Sequence, residues 1–280
     1  MTTDGKLNTH PTPTPKHRST PMRFSVLGST EVTNNGHHLE LGGIRQRAIL
    51  GYLLLNANKV VATSQILHAM WDGNPPPTAR KMVQNAVSGI RRMLTHNTDP
   101  TTNPTLRTHP PGYQLRIDTE TIDLYRFRRL VREGRHATTT NNPTRAAQLL
   151  TEALTLWRGR ALADLVETGT CWSELAAIED ERLSALEDRL DAELACGRHR
   201  EITPELEILT ATEPLRERLC HQFMLALYRS GRQVDALRVY RRTREALVDG
   251  LGLEPGRSLQ ELQQRILEHD AKIQIPALTH

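Results

Sequence analysis

At 280 residues the chain is long enough for two domains, each with its own core. Its net charge of +4 conceals a split: residues 1–118 carry 13 lysines and arginines against 6 acids, and residues 119–280 carry 23 against 26. No apolar run approaches the roughly 20 residues of a bilayer-spanning helix, and the N-terminus lacks a signal peptide's apolar stretch. Cys171, Cys196 and Cys220 stand far apart without CxxC or Cys/His spacing. The expectation is a cytoplasmic protein with reduced thiols in helical cores and no bound metal.

Residues 1–21 are rich in Thr, Pro and His, too polar to bury a core, and read as a disordered tail. RFSVLG and TEV alternate as short strands, and NNGHH, with His37 and His38, reads as a turn before LEL. Gly42-Gly43 opens a helix through IRQRAILGYLLLNAN, apolar nearly all round from Ala48 to Leu55 and therefore central. Asn58-Lys59 breaks it, and Thr63 is a suitable N-cap for a short second helix, SQILHAMW. The run DGNPPP stops that helix, leaving Trp71–Thr78 as a proline-stiffened loop.

Thr78 then caps a helix to Leu94 with two distinct faces. Ala79, Met82, Val83, Ala86, Val87, Ile90, Met93 and Leu94 share an apolar arc. Arg80, Lys81, Gln84, Asn85, Ser88, Arg91 and Arg92 fall opposite, with no carboxylate among them. Such side chains bond phosphates and base edges, although a solvated basic face has the same composition. After a polar loop, Thr95–Pro104, the strands Thr105–His109 and Tyr113–Ile117 meet at Pro110-Pro111-Gly112, where Gly112 can supply a positive φ. Strands, three helices and a hairpin make a winged helix-turn-helix whose third helix is the reader. Gln84 and Asn85 are the candidates for base edges, because their amides pair bidentately with adenine. Lys81, Arg91, Arg92 and Arg107 are the candidates for phosphates, with Arg80 and Ser88 on the same face. Thr108 and Tyr113 brace the wing, Tyr113 as readily from the core as by contact.

From Ile122 onward the pattern is helical: Leu124–Gly134, Thr144–Trp157, Trp172–Cys196, Glu205–Thr212, Leu215–Arg229, Val234–Val248 and Ser258–Ala271. LCHQFMLALYRSGRQVDALRVYRRTREAL reads as a helix pair turning at Gly231, with Ala236 and Tyr240 at the small and aromatic positions of a tetratricopeptide repeat. The acidic run IEDERLSALEDRLDAEL reads as a solvated face, with Leu183, Leu186, Leu190 and Leu194 toward a neighbour, and Trp157 and Trp172 read as core anchors. There is no P-loop, HExxH or GxSxG, so neither a cofactor nor an enzyme is expected. The reading is a mainly α protein: a winged helix at 22–118 that folds and binds DNA alone, an all-α domain at 119–271, and a tail at 272–280.

FSVLGSTEV, LGGIRQRAILGYLLLNANKVV, MWDGNPPPTARKMVQNAVSGIRRML and TLRTHPPGYQL resemble the OmpR-type winged helix of the Streptomyces antibiotic regulatory proteins, the AfsR/DnrI/RedD group. LTLWRGRALADL, PLRERLCHQFMLALYRSGRQVDALRVYRRTREAL and LGLEPGRSLQELQQRIL resemble that family's bacterial transcriptional activation domain. The resemblance spans about 22–271 and is to the short members without an ATPase module. It implies a transcription activator on double-stranded promoter DNA, bound to direct repeats near the −35 region with a second protomer alongside. It also implies recruitment of RNA polymerase holoenzyme, through its sigma factor and other subunits, to antibiotic-biosynthesis promoters. Trp71, Asp72 and Asn74 are the candidate polymerase contacts. Gln84, Ser88, Arg91 and Arg92 match the family's LQ…VSRLRR pattern, whereas Gly89 stands where it has arginine, which removes one phosphate contact and adds a flexible residue. The competing reading is a helical-repeat scaffold for a protein partner, tethered to DNA non-specifically by its basic module.

Overall fold

The computed structural model describes residues 22–95 and 104–273. The expected tail at 1–21, the loop residues 96–103 and residues 274–280 lie outside the described residues. The described chain opens with an antiparallel meander of β1 (Arg23–Ser25), β2 (Glu31–Asn34) and β3 (His37–His38). The histidine pair, expected in the turn, is instead the short third strand, opposite Asn34 and Thr33. The turn contracts to Asn35-Gly36, both at positive φ.

α1 (Ile44–Leu55) is buried without a break from Ala48 to Leu55, as its all-round apolar run requires. Next come β4 (Val60–Ala62), α2 (Thr63–Trp71), α3 (Ala79–Thr95), β5 (Thr105–His109) and β6 (Gly112–Arg116). The wing is therefore a three-stranded sheet, ordered β4-β6-β5, rather than a hairpin. Thr63 does not cap α2. It lies inside the helix and its hydroxyl donates to the Pro111 carbonyl (3.2 Å), while Gln65 accepts the Ala62 N–H at the helix start (2.9 Å). Gly112 does not supply a positive φ. Its role is close approach: a Cβ there would sit 1.9 Å from the Val61 carbonyl oxygen on β4.

The remainder is helical: α4 (Asp123–Thr139), α5 (Pro143–Thr155), α6 (Ala163–Val166), α7 (Ser173–Ala195), α8 (His199–Thr212), α9 (Glu217–Arg229), α10 (Gln233–Leu251) and α11 (Arg257–Leu267). α8, expected from Glu205, begins at His199 and runs through Pro204. α9 and α10 form the expected repeat-like pair, with Gly231 at φ +78° in the turn and Ala236 and Tyr240 buried. The acidic face of α7 is only partly solvated: Asp180 stays exposed, but others turn toward neighbouring helices. Glu187 is 7% exposed, and Arg218 reaches Asp188 (2.7 Å) and Asp191 (2.6 Å) from α9, while Arg128 of α4 holds Glu181 (2.7 Å). Burial pushes the Glu187 carboxyl up, and Arg216 and Arg218 pull it back. Of the cysteines only Cys220 is in a core; Cys196 is half-buried and Cys171 exposed.

Two apolar cores organise these elements, and they do not divide at residue 118. The first runs continuously from Met22 to Ala192 and the second from Leu190 to Ile273. α7 belongs to both: Leu175, Ile178 and Ala185 enter the first, Leu190 and Leu194 the second. Ile273 is buried and its carbonyl accepts from Arg229 (3.0 Å), so the second core continues past the expected end at 271.

The polar backbone follows the first core across the boundary. Residues 26–28, just after β1, have their hydrogen bonds completed by the helical part. The Val26 and Leu27 N–H groups donate to the buried Asp123 carboxylate (2.8 and 3.1 Å). The Val26, Leu27 and Gly28 carbonyls accept from Leu162 (2.9 Å), Arg158 (2.8 Å) and Ala163 (3.1 Å). Burial pushes the Asp123 carboxyl up, and the backbone N–H groups of Val26, Leu27 and Leu124 together with Arg158 hold it back. Further along, Asp164 binds Thr30 and Arg47 (2.8 and 2.9 Å), and the Trp172 indole donates to the Ala69 carbonyl of α2 (2.8 Å).

Asp123→Ala strands three buried backbone donors, those of Val26, Leu27 and Leu124, at about 1–3 kcal/mol each. The expected result in the full chain is a lower urea midpoint with an unchanged m-value. A chain cut after Asp118 also loses Ile122, Leu124 and Phe127 from the first core, at about 1.5–3 kcal/mol per side chain. It is expected to unfold at lower urea than a 22–195 fragment, measured by circular dichroism.

Candidate nucleic-acid interface

α3 separates its faces as the sequence spacing demands. Val83, Ala86, Val87, Ile90, Met93 and Leu94 are buried against the first core, whereas Arg80, Lys81, Gln84, Asn85, Ser88 and Arg92 are exposed. Met82 is only half-buried, its sulfur 3.8 Å from the Thr78 hydroxyl. Thr78 precedes α3, and its carbonyl accepts the Met82 N–H. The Ser88 hydroxyl turns back to the Gln84 carbonyl (2.9 Å).

Arg91 behaves differently from the other cations on this helix. It is half-buried and reaches across to β5, where Nε donates to the Leu106 carbonyl (2.9 Å) and Nη2 to the Thr108 hydroxyl (2.8 Å). Two of its donors are thus spent inside the protein, tying α3 to the wing. Thr108 is exposed and braces the wing through this bond; Tyr113 is buried, a core residue. Arg107 is exposed on the opposite face of the sheet, across from Gln114, with Arg116 two residues along.

The base of the wing was not legible as such. Asn58, read as a helix breaker, adopts φ +65° and bonds Ile117 twice, Oδ1 accepting its N–H (3.0 Å) and Nδ2 donating to its carbonyl (2.9 Å). The short β-branched run VVA after Lys59 was the available sign of β4. Position 89 also reads differently in three dimensions. A Cβ on Gly89 would lie 2.2 Å from the Gln46 Oε1 of α1, so a larger residue there requires that side chain to move.

Among the described residues, Arg80, Lys81, Arg92 and Arg107 take part in none of the ion pairs, whereas arginines 128, 129, 135, 216 and 218 of the helical part are all paired with acids. Among the described residues the exposed cations of α3 and the wing therefore carry positive charge with no acid paired to it. Beside it, Asp72 and Asn74 are exposed at the turn after α2, Asp72 in the left-handed conformation (φ +46°), while Trp71 packs half-buried against the core. Among the described residues no helix is long and apolar enough to cross a membrane.

Residues 38–115 match the family described as "Transcriptional regulatory protein, C terminal", and residues 122–267 match "Bacterial transcriptional activator domain". The chain is 36% identical to the regulatory protein DnrI of Streptomyces peucetius over 258 residues, covering 90% of this chain and 94% of that protein. The chain belongs to the Streptomyces antibiotic regulatory protein family. AfsR of Streptomyces coelicolor is 39% identical over 259 residues, but this chain spans only 25% of it. The solved structure of Mycobacterium tuberculosis EmbR in complex with a low-affinity phosphopeptide superposes with a TM-score of 0.82 at 36% identity, over 89% of this chain and 65% of that one. The expected order, an OmpR-type winged helix before an all-α activation domain, holds. Both matched families are transcriptional regulators rather than enzymes, and this member is a transcriptional activator of the same type.

Arg91→Ala removes both bonds to β5, a loss of about 1 kcal/mol to local opening. Amides of Leu106–Thr108 are then expected to exchange roughly fivefold faster, with α1 protection unchanged, measured by hydrogen–deuterium exchange of the full chain.

Proposed function

We propose that α3 enters the major groove of promoter DNA and that two copies of the chain read direct repeats near the −35 region. The observation that carries this reading is the exposed face of α3, with its amides, its unpaired cations and no carboxylate, held at a fixed angle to the wing by Arg91. Gln84 and Asn85 take the base edges. Arg80, Lys81, Arg92 and Arg107 take phosphates, and Ser88 lies between them on the same face. Arg91 acts chiefly by fixing the wing, with Thr108 as its partner. Residues 22–118 supply the DNA contact. Residues 119–271 supply the support on which the neighbouring protomer and RNA polymerase holoenzyme, including its sigma factor, are engaged. The loop from Trp71 to Thr78, with Asp72 and Asn74 exposed, is the polymerase contact of the winged helix.

A salt titration of the full chain on promoter and random DNA tests the assignment. Arg92→Ala is expected to weaken both DNAs and to lower the salt slope by about one. Gln84→Ala is expected to cost roughly 1–3 kcal/mol on the promoter alone, and equal losses on both DNAs would overturn base reading.

Two copies reading one face of B-DNA sit about one turn, 10–10.5 bp, apart. Inserting half a turn between the repeats is expected to abolish activation in a purified polymerase assay. The double substitution Asp72→Ala, Asn74→Ala is expected to leave promoter binding intact while lowering transcription severalfold. Unchanged transcription would place the polymerase contact elsewhere.

A further inference from the structure

The chain has three tryptophans, and two of them, Trp71 and Trp172, line one cleft together with Tyr52. The cleft has a volume of about 700 Å³. One wall is built by α1 and α2, the other by residues 168–174 ahead of and into α7. Tyr52 and Trp172 meet edge to face, with centroids 5.1 Å apart and planes at 70°, and both are buried as parts of the wall. The indole N–H of Trp172 is already satisfied by the Ala69 carbonyl. Burial and the nearby Glu174 carboxylate push the Tyr52 hydroxyl up, so it stays a neutral phenol. Arg45, His68 and Cys171 line the same cleft and are exposed.

These features suit a small molecule. The volume falls within the range of about 300–1,000 Å³ typical of ligand pockets, and the position between two structural units is a preferred one. In a chain where aromatic residues make up 4%, three of them stand on this one concavity, beside polar groups such as Arg45, His68, Asp72 and Glu174 that can fix orientation. Aromatic walls of this kind favour offset or edge-to-face contact with another ring system.

We propose that this cleft binds a planar aromatic small molecule, held among Tyr52, Trp71 and Trp172 and contacting both the winged helix and the helical part. Nothing in this inference depends on the DNA-reading assignment. Because Trp71 is also the first residue of the Trp71–Thr78 loop, an occupant touches the base of that loop. Occupancy and loop position are then linked to the extent that the molecule binds one loop position better than another.

The test uses the full chain and two aromatic dyes, 1-anilinonaphthalene-8-sulfonate and the uncharged N-phenyl-1-naphthylamine, so that charge at the rim does not decide the outcome. At least one dye is expected to saturate at one molecule per chain, with energy transfer from tryptophan. The same dye is expected to slow iodoacetamide alkylation of Cys171 at least fivefold while leaving that of Cys196 unchanged, followed by peptide mass spectrometry. Thr170→Trp, which narrows the cleft from a half-buried wall position, and Tyr52→Leu are each expected to weaken the dye at least tenfold. Circular dichroism reports whether each variant is folded, and a folded one of the pair suffices. Ile208→Asp, at a residue 66% exposed on α8, is expected to change nothing. No saturable binding of either dye, or binding indifferent to Cys171 and to the cleft substitutions, overturns the proposal.

Discussion

The buried carboxylate of Asp123 is the constraint from which the arrangement of this molecule follows. A charged oxygen pair in an apolar interior is costly unless donors surround it. Here the donors are the Val26 and Leu27 N–H groups, with Leu124 N–H beside them. Those N–H groups have equally little choice, since they too are buried and must be paired. The segment just after the first strand and the first helix of the helical part therefore satisfy one another. The same stretch of backbone spends its carbonyls on Arg158, Leu162 and Ala163. Gly51 on α1 leaves the space that the Leu162 side chain fills, a Cβ there falling 3.1 Å from Leu162 Cδ1. Orientation between α3 and the helices is set by this packing and not by a linker.

Charge is distributed by the same logic of pairing. Arginine dominates the cations throughout, yet its use differs between the two regions. In the helical part the arginines of α4 and α9 meet the acids of α7, so the charges along the seam between these helices largely offset one another. Each such half-exposed pair adds little stability by itself, but together they fix which helix faces which. Among the described residues no acid pairs with the exposed cations of α3, which leaves them available to an external polyanion. Arg91 is the exception, and its two bonds to β5 convert a charge into geometry.

Much of this could be read from the sequence, and the failures have physical causes. The apolar arc of α3 and the all-round apolar run of α1 are periodic signals over many residues, and the structure follows both. β3 and β4, of 2 and 3 residues, are too short for periodicity to register, and their pairing is decided by tertiary partners. Thr63 was a reasonable cap by residue type, but the chain needed its hydroxyl for Pro111. The acids of α7 looked solvated because a one-dimensional pattern cannot show that Arg216 and Arg218 stand opposite. The candidate contacts Gln84, Asn85 and Arg92 sit on the exposed face where the spacing puts them. Arg91 and Tyr113 were drawn inward by neighbours distant in sequence. A boundary at 118 reflects a change of pattern from strand to helix, and the cores change only within α7.

That last feature has a mechanical consequence. α7 is a single helix of 23 residues, and at 1.5 Å per residue it is roughly 35 Å long. Its N-terminal half is embedded in the body that carries α3, and its C-terminal half forms one side of the second core. Over that length a tilt of about 5° at one end displaces the other by roughly 3 Å. The helix is thus a lever with its fulcrum in the first core. Any tilt of the first core that α7 follows is therefore carried to the second core as a displacement of that size.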